Sequence, residues 1–460
     1  MGRKFFGQYG DEEMYKLQNT EEMKEIQSRK LQAKLDRTYE RSEFFRNYCS
    51  SLSINLDKIK TVDDFNNAFP VLRQKTSLAK LMTDNWRDSL RKTMAYISGL
   101  PEQDFVILRS TSGTTGEPSP YFWTKQDVRM QTEGLARGFH MVGVEPGDVV
   151  TFGLGLSMWG GGSIAESLED LGIAVIPVGA EGGSAALFKF SKAFGGNILF
   201  CTPSYAEHLI EKDPKEVRSL GFKRVICAAE PGAGIPEVRK RIEEGFGCPL
   251  TDCMGVFYGI MMISCDLPEY AGMHYLADDL CIISLADPET GKPISFEDGA
   301  IGEWIITFID EQSLGMVRLS VGDLLQVFTE PCKCGNPGWR LKVVGRIDDM
   351  LKVKGVIVYP TAIDRVITGF HPRVTGEFRI VLDSPPPRVE PPLKLKVEYG
   401  ELVKKEELEA LTSEIAEEMH SKLKIRPRIE WLPSMTLPRA THKTKFIEKA
   451  YEKKNQSQGR

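Results

Sequence analysis

Phe105-Val106-Ile107-Leu108-Arg109-Ser110-Thr111-Ser112-Gly113-Thr114-Thr115-Gly116-Glu117-Pro118-Ser119-Pro120-Tyr121-Phe122-Trp123-Thr124 is the stretch from which the rest of the chain is best read. An apolar run enters it and an aromatic run leaves it, so the spacing predicts strand, tight loop, strand. Gly113 and Gly116 allow the loop backbone to approach a ligand or to take positive φ. Thr111, Ser112, Thr114 and Thr115 add hydroxyls to its free N–H groups, a chemistry suited to phosphate oxygens. The pattern is not a Walker A loop, because no lysine closes it and no helix comes directly after it. By itself a hydroxyl-rich hairpin loop without a ligand explains the stretch nearly as well.

Outward from the loop, the chain alternates. Val149-Val150-Thr151-Phe152, Ala174-Val175-Ile176, Ile198-Leu199-Phe200 and Val225-Ile226-Cys227 are short apolar runs separated by helical stretches. From about residue 100 to 330 this alternation predicts parallel strands with crossover helices. Ligands of such sheets sit beyond the carboxyl ends of the strands. Loops at Gly153–Gly162, Thr202–Tyr205, Ala229–Gly232 and Tyr258-Gly259 are therefore expected to converge at one sheet edge. Before the alternation, residues 20–60 read as helical, with Leu31, Leu35 and Tyr39 on one face, and Thr61 caps a further helix. Near Gly345-Arg346-Ile347-Asp348-Asp349-Met350 the texture changes. The remainder of the chain reads as a small α+β unit, with alternating Leu393, Leu395, Val397 and Tyr399 and a helix carrying Leu408, Leu411, Ile415 and Met419.

Composition narrows the classes. Lysine and arginine number 59 against 64 acidic residues, a balance that argues against nucleic acid or a membrane surface as main partner. The longest uncharged stretch, Val149–Ala165, is too short and too glycine-rich to span a bilayer. The amino terminus has no long apolar segment to act as a signal peptide, and nine cysteines form no regular framework, so a reducing cytoplasm is expected. Cys265, His274, Cys332 and Cys334, three sulfurs and an imidazole with Cys332-Lys333-Cys334-Gly335 as a tight knuckle, suit tetrahedral structural zinc, although over so long a spacing unrelated buried cysteines are the alternative.

Five ordered signatures then carry a resemblance. Thr111–Pro118, Ala229-Glu230-Pro231, Val321-Gly322-Asp323-Leu324, Gly345–Met350 followed by Gly355 and Pro360, and Leu437-Pro438-Arg439 followed by Lys443 resemble the adenylate-forming superfamily. Thr202-Pro203-Ser204-Tyr205 and Gly376-Glu377-Phe378 are similar to its phenylacetate-CoA ligase and coenzyme F390 synthetase branch. The resemblance implies an α/β fold. It comprises a large N-terminal domain, 1–345, with mixed, mainly parallel sheets covered by helices, and a small mobile α+β C-terminal domain, 346–460. It implies an AMP-forming ligase that activates a small-molecule carboxylic acid with ATP and passes the acyl group to coenzyme A. Alternatives within reach are AMP transfer of the F390 synthetase type, adenylation for amide formation, or a nucleotide-binding homologue that has lost adenylation.

The same resemblance assigns residues. Thr111, Ser112, Gly113, Thr114, Thr115 and Gly116 would hold the ATP phosphates; Ala229, Glu230 and Pro231, with Tyr258 and Gly259, would line the nucleotide. Asp323 would accept the ribose hydroxyls beside Arg346, Asp348 would be the hinge, and Lys443 the catalytic lysine. Lys354 and Gly355 would border the coenzyme A tunnel, and Tyr121, Trp159, Tyr205, Met261 and Met262 the acid pocket. Some members of the branch carry zinc at the place of the four Cys/His ligands, and a homodimer is a further implication. Three departures stand out. Methionines occupy Met261 and Met262, where the family has Ser/Thr and a magnesium-binding Glu; Arg318-Leu319-Ser320 replaces Arg-Tyr-Arg; and His442 replaces a glycine. Thioethers are poor ligands for a hard cation, so either Mg2+ is held by phosphates and water or adenylation is weakened.

Overall fold

The computed structural model describes residues 4–73, 90–110, 120–156, 161–256, 260–438 and 446–451. The two expected strands are present: Ile107–Ser110 pairs antiparallel with Pro120–Trp123, in a register that sets Ile107 opposite Trp123 and Arg109 opposite Tyr121, while the expected loop between them lies outside the described residues. The second strand leads directly into the helix Lys125–Met141. Thr124 caps that helix, with reciprocal bonds between the Thr124 and Asp127 side chains and backbones.

One large mixed sheet organises the body. Ala174–Ile176, Val149–Phe152, Ile198–Cys201, Arg224–Cys227 and Leu250–Val256 run parallel as neighbours. Ile198–Cys201 and Arg224–Cys227 are buried along their whole length, as continuous apolar runs between two covering layers should be. Beyond Val256 the sheet turns antiparallel, through Ile260–Ser264, Met273–Tyr275, Arg340–Arg346, Leu319–Phe328, Ile301–Phe308 and Cys281–Ala286. The parallel part is thus narrower than the expected 100–330. Cys281–Ala286 is buried at every position and Ile301–Phe308 at all but the first. Strands buried on both faces lose the two-residue alternation that distinguishes a hairpin from a crossover strand.

The amino-terminal helices Glu21–Arg41 and Glu43–Ser51 cover one end of this sheet, each started by a hydroxyl cap, Thr20 and Ser42. Leu31, Leu35, Phe45, Phe65 and Phe69 bury there against Ile282, Ile309 and Val317.

After Arg346 the chain builds a second, smaller unit. Pro427–Leu432, Leu393–Tyr399, Val374–Leu382 and Ile447–Lys449 form a four-stranded sheet. The helices Pro360–Thr368 and Leu408–Leu423 close a core that contains Ile363, Phe378, Leu395, Ile415 and Met419. That core draws only on residues from 351 onward. Lys354 and Gly355 form the two-residue turn between Leu351–Val353 and Val356–Val358, at φ of 49° and 84°. Two successive positive φ values match the twist of a tight hairpin, and glycine takes the second without strain. No helix among the described residues is long and apolar enough to cross a membrane.

Candidate active site and Cys/His centre

The carboxyl ends of the parallel strands bring three of the expected loops together. At the end of Val149–Phe152, Gly153 donates its N–H to the Phe200 carbonyl at 2.7 Å. A Cβ at Gly153 would come within 3.3 Å of both the Tyr205 ring and Cys201, a tight contact that glycine avoids where these two loops pack. After Ile198–Cys201, Thr202 caps the helix Pro203–Lys212, and the Ser204 N–H donates to Glu230 Oε1 at 2.8 Å. This bond ties the Thr202–Tyr205 loop to the Ala229-Glu230-Pro231 loop that comes after Arg224–Cys227. Ala229 sits at φ 76°, a left-handed conformation uncommon for a residue with a Cβ, at the bend that leaves the sheet. Sequence reasoning assigned Glu230 to a nucleotide wall; the Ser204–Glu230 lock is an addition that no sequence motif announces.

Tyr205 is buried, and burial pushes its phenol up to about 12. Its hydroxyl has no hydrogen-bond partner among the described residues. Tyr121 and Met262, assigned with it to the acid pocket, belong to a different buried cluster on the antiparallel side, together with Trp123, Met273 and Tyr275. Met262 is fully buried, so its thioether packs the core at the place where a metal-binding carboxylate was expected. Thr111–Gly116, Trp159, Tyr258, Gly259 and Lys443 lie outside the described residues, as does the side chain of Met261.

Asp323 and Arg346 meet where the large sheet hands over to the second unit. Leu319–Phe328 and Arg340–Arg346 pair so that Asp323 stands opposite Arg346, and Arg346 Nη1 donates to Asp323 Oδ1 at 3.1 Å. Asp323 is buried, while the Arg346 side chain keeps 41% of its surface and reaches to 3.9 Å from Asp348. Arg346 Nε is left without a partner among the described residues. Gly322 turns the strand at φ 84°, and a Cβ there would press to 3.2 Å from Arg346 Nη2. Gly345 lies against the Tyr359 ring, where a Cβ would intrude to 2.7 Å. The Thr361 hydroxyl donates to the Val344 carbonyl at 2.7 Å and fastens the first helix of the second unit to this strand end.

The path toward Lys443 is also held. Arg379 Nη2 donates to the Pro438 carbonyl at 3.0 Å, and the Leu437 N–H donates to Glu398 Oε1 at 2.5 Å. Glu398 is fully buried, and the Thr375 hydroxyl donates to its other oxygen at 3.0 Å. The signal for Glu398 was faint: an acid in a strand whose alternate residues, Leu393, Leu395 and Val397, face the core.

The Cys/His centre is the most complete constellation. The ligand atoms of Cys265, His274, Cys332 and Cys334 all lie within 4.8 Å of one another. Cys265 and Cys332 sulfurs are 4.0 Å apart, and Cys334 Sγ is 3.4 Å from His274 Nε2. His274 Nδ1 faces the Pro337 carbonyl at 2.9 Å, which places the proton on Nδ1 and leaves Nε2 with its lone pair toward the sulfurs. Burial holds the His274 imidazole below its ordinary range, in the neutral form a metal needs. Burial works to raise the Cys334 thiol, yet the N–H donors of Asn336, both 3.4 Å from the sulfur, and the neighbouring thiols hold it below its usual value. Gly335, at φ 77°, closes the knuckle. Three sulfurs and one nitrogen converging in this way fit a tetrahedral zinc ion.

Comparison with known proteins agrees with this layout. Residues 355–449 match the family model described as the AMP-binding enzyme C-terminal domain. The chain is 27% identical over 440 residues to the phenylacetate-coenzyme A ligase of Thermus thermophilus, covering 91% of this chain and 94% of that one. It superposes on a crystal structure of 2-hydroxyisobutyryl-CoA ligase in the postadenylation state, bound to 2-HIB-AMP, with a TM-score of 0.84. That match has 25% identity and covers 98% of this chain and 95% of that one. Against the same ligase in the thioesterification state with 2-HIB-AMP and CoA the TM-score is 0.64, at 26% identity and 95% and 92% coverage. The arrangement seen here is therefore nearer to the first state than to the second.

Proposed function

The chain belongs to the adenylate-forming superfamily, in its phenylacetate-CoA ligase-like branch, and from that premise we propose that it is an AMP-forming acyl- or aryl-CoA ligase working in two steps. In the first, a carboxylate oxygen attacks the α-phosphorus of ATP, the bond to the β-phosphate oxygen breaks, and acyl-AMP and pyrophosphate form. In the second, the thiol of coenzyme A attacks the acyl carbon, the thiol proton passes to solvent or base, and AMP leaves. Catalysis rests on position and charge, since no protein nucleophile takes part.

The observation that carries the reading is the Asp323–Arg346 pair at the junction of the two units. An ionised carboxylate is acceptor-only and suits the two ribose hydroxyls, and Arg346 Nε remains to meet a phosphate or ribose oxygen. Ala229-Glu230-Pro231 flanks the base, Thr111–Gly116 with Tyr258 and Gly259 the remainder of the nucleotide. Asp348 is the hinge of a boundary drawn at 345/346, and Lys443 supplies the cation for the α-phosphate. Lys354 and Gly355, an exposed turn, border the coenzyme A path. Tyr205, Trp159 and Met261 bound the acid, with Tyr121 and Met262 behind them. Mg2+ is carried by ATP oxygens and water, because Met262 offers no hard ligand. Zinc at Cys265, His274, Cys332 and Cys334 supplies a structural cross-link. A cytoplasmic homodimer completes the proposal. AMP transfer to a non-thiol acceptor, amide formation and loss of adenylation are less favoured.

Acid-dependent exchange of pyrophosphate into ATP, run over aryl, arylacetic, hydroxy and short branched acids, tests the first step. Exchange with at least one acid is expected; none across the whole panel would falsify acid activation. Metal analysis should return close to one zinc per chain, and a value far below that ends the zinc assignment.

A further inference from the structure

Among the described residues five basic side chains are buried: Lys34, Arg137, Arg224, Arg239 and Arg318. Four are answered by a carboxylate. Lys34 pairs with Glu311, Arg137 with Asp279 and Glu133, Arg224 with Asp266, and Arg239 with Glu243. Arg318 has no such partner among the described residues. It is 0% exposed and sits at φ 50°, just before the strand that carries Asp323. Its backbone is pinned on both sides: its N–H donates to Thr307 Oγ1 at 2.9 Å and its carbonyl accepts from the Leu72 N–H at 2.8 Å. These bonds fix the main chain from which the buried guanidinium projects.

Its hydrogen bonds do not account for its burial. Nη1 donates to Asn66 Oδ1, while Nε and Nη2 have no partner among the described residues. The one titratable group there that acts on it electrostatically is Tyr48, whose own hydroxyl also lacks a partner. Tyr48 packs against an apolar cluster that contains Phe45, Phe65, Phe69 and Val317. Burial lowers the guanidinium only to about 10, so it stays charged at neutral pH. A buried cation with orphan donors and no counter-charge is strongly disfavoured.

We propose that Arg318 and Tyr48 bind a halide-sized monovalent anion, chloride in the cell, as a built-in counter-ion of this fold. The unsatisfied groups, Nε–H, Nη2–H and the phenolic O–H, are all able to donate, and the Asn66 oxygen is already engaged. A water molecule would accept from two of them, but it would leave the charge unanswered and bring two donors of its own. The neighbouring rings, Phe45 and Phe69 stacked at 6.0 Å and Tyr48 and Phe69 at 6.3 Å, add no hydrogen-bond donors, so the orphan groups suit a monatomic ion better than the four oxygens of phosphate. None of the steps proposed above uses Arg318, Tyr48 or Asn66.

Diffraction from the full chain crystallised in bromide decides the matter. An anomalous peak within hydrogen-bonding distance of Arg318 Nε or Nη2 is expected, and its absence overturns the proposal whatever else is observed. In solution, protein exchanged into gluconate at fixed ionic strength should gain about 2–4 °C in melting temperature on saturating addition of chloride or bromide. Arg318→Met should abolish that halide response and Tyr48→Phe should weaken it. A response unchanged in Arg318→Met contradicts the assignment, and if that variant does not fold, the bromide map of the unaltered chain still gives the answer.

Discussion

The Cys/His centre and the nucleotide edge are built from neighbouring strands of the same sheet, yet they are in different states of completion. At the centre, four donors already converge within 4.8 Å, and Asn336 and Pro337 hold two of them in place. At the edge, Asp323 and Arg346 are paired and oriented, but Arg346 Nε has no partner among the described residues. The groups proposed to complete the edge, Thr111–Gly116 and Lys443, come from distant parts of the chain. On the proposed reading, the contrast separates a site that would serve stability from one that would serve a reaction. A structural centre is finished on folding, whereas a two-step active site must be assembled and dismantled in each cycle.

The largest effect expected is on the edge. Lys443→Ala should slow adenylation by roughly 10²–10³-fold, the scale of losing one preorganised charge at a developing anion. Thioester formation from supplied acyl-AMP should change little. Equal losses in the two half-reactions, measured separately, would break the division of labour between the units. Next in size, Asp323→Ala strands Arg346 and removes the ribose acceptor; the KM for ATP should rise about 10–100-fold, the range for a charged hydrogen bond. A KM for ATP within about twofold of the parent protein, too small a change for such a bond, would remove Asp323 from the site.

At the centre the effect should fall on stability instead. Cys332→Ser should lose bound metal and lower the melting temperature by roughly 5 °C or more, with adenylation in the folded fraction changed less than about tenfold. A selective loss of adenylation at unchanged stability would erase the contrast.

The smallest effect concerns how the two units sit together. Asp364 in the second unit is pushed up to about 7 by burial, and Glu207 and Glu230 of the large body with Glu377 add like charge. An acid raised in this way favours the docked arrangement while protonated. Its contribution is fully present below the ordinary carboxyl range, declines as pH rises toward about 7 and changes little above that. Distance measurements between probes on the two units should show the docked arrangement weakening from about pH 5 to about pH 7 in the parent and levelling off above, and Asp364→Asn should flatten the trend. A trend as steep in the variant would assign the pH dependence to other groups.

Much of this was legible in residues alone. Val149–Phe152, Ala174–Ile176 and Ile198–Cys201 announced themselves as short apolar runs, and the two strands flanking the hydroxyl-rich stretch pair where the apolar and aromatic runs required it. The four Cys/His ligands were visible by type and meet in space, because Met273–Tyr275 pairs with both Ile260–Ser264 and Arg340–Arg346. The antiparallel half was not legible, since strands buried on both faces carry no period. Nor were the locks at Ser204–Glu230 and Leu437–Glu398, which depend on backbone donors that no side-chain pattern records. Arg318 is the instructive case: in sequence it was part of a departure from a familiar tripeptide, and only its burial revealed a charge without a counter-charge.

The central claim is that one chain makes an acyl-adenylate and then a thioester. It is tested most directly by incubating the protein with ATP, Mg2+, coenzyme A and an acid active in exchange, and quantifying AMP and acyl-CoA together by mass spectrometry. The account predicts AMP and acyl-CoA in equal amounts, with acyl-CoA absent when coenzyme A is omitted. AMP formed without any thioester, or an adenylylated acceptor in its place, would contradict it.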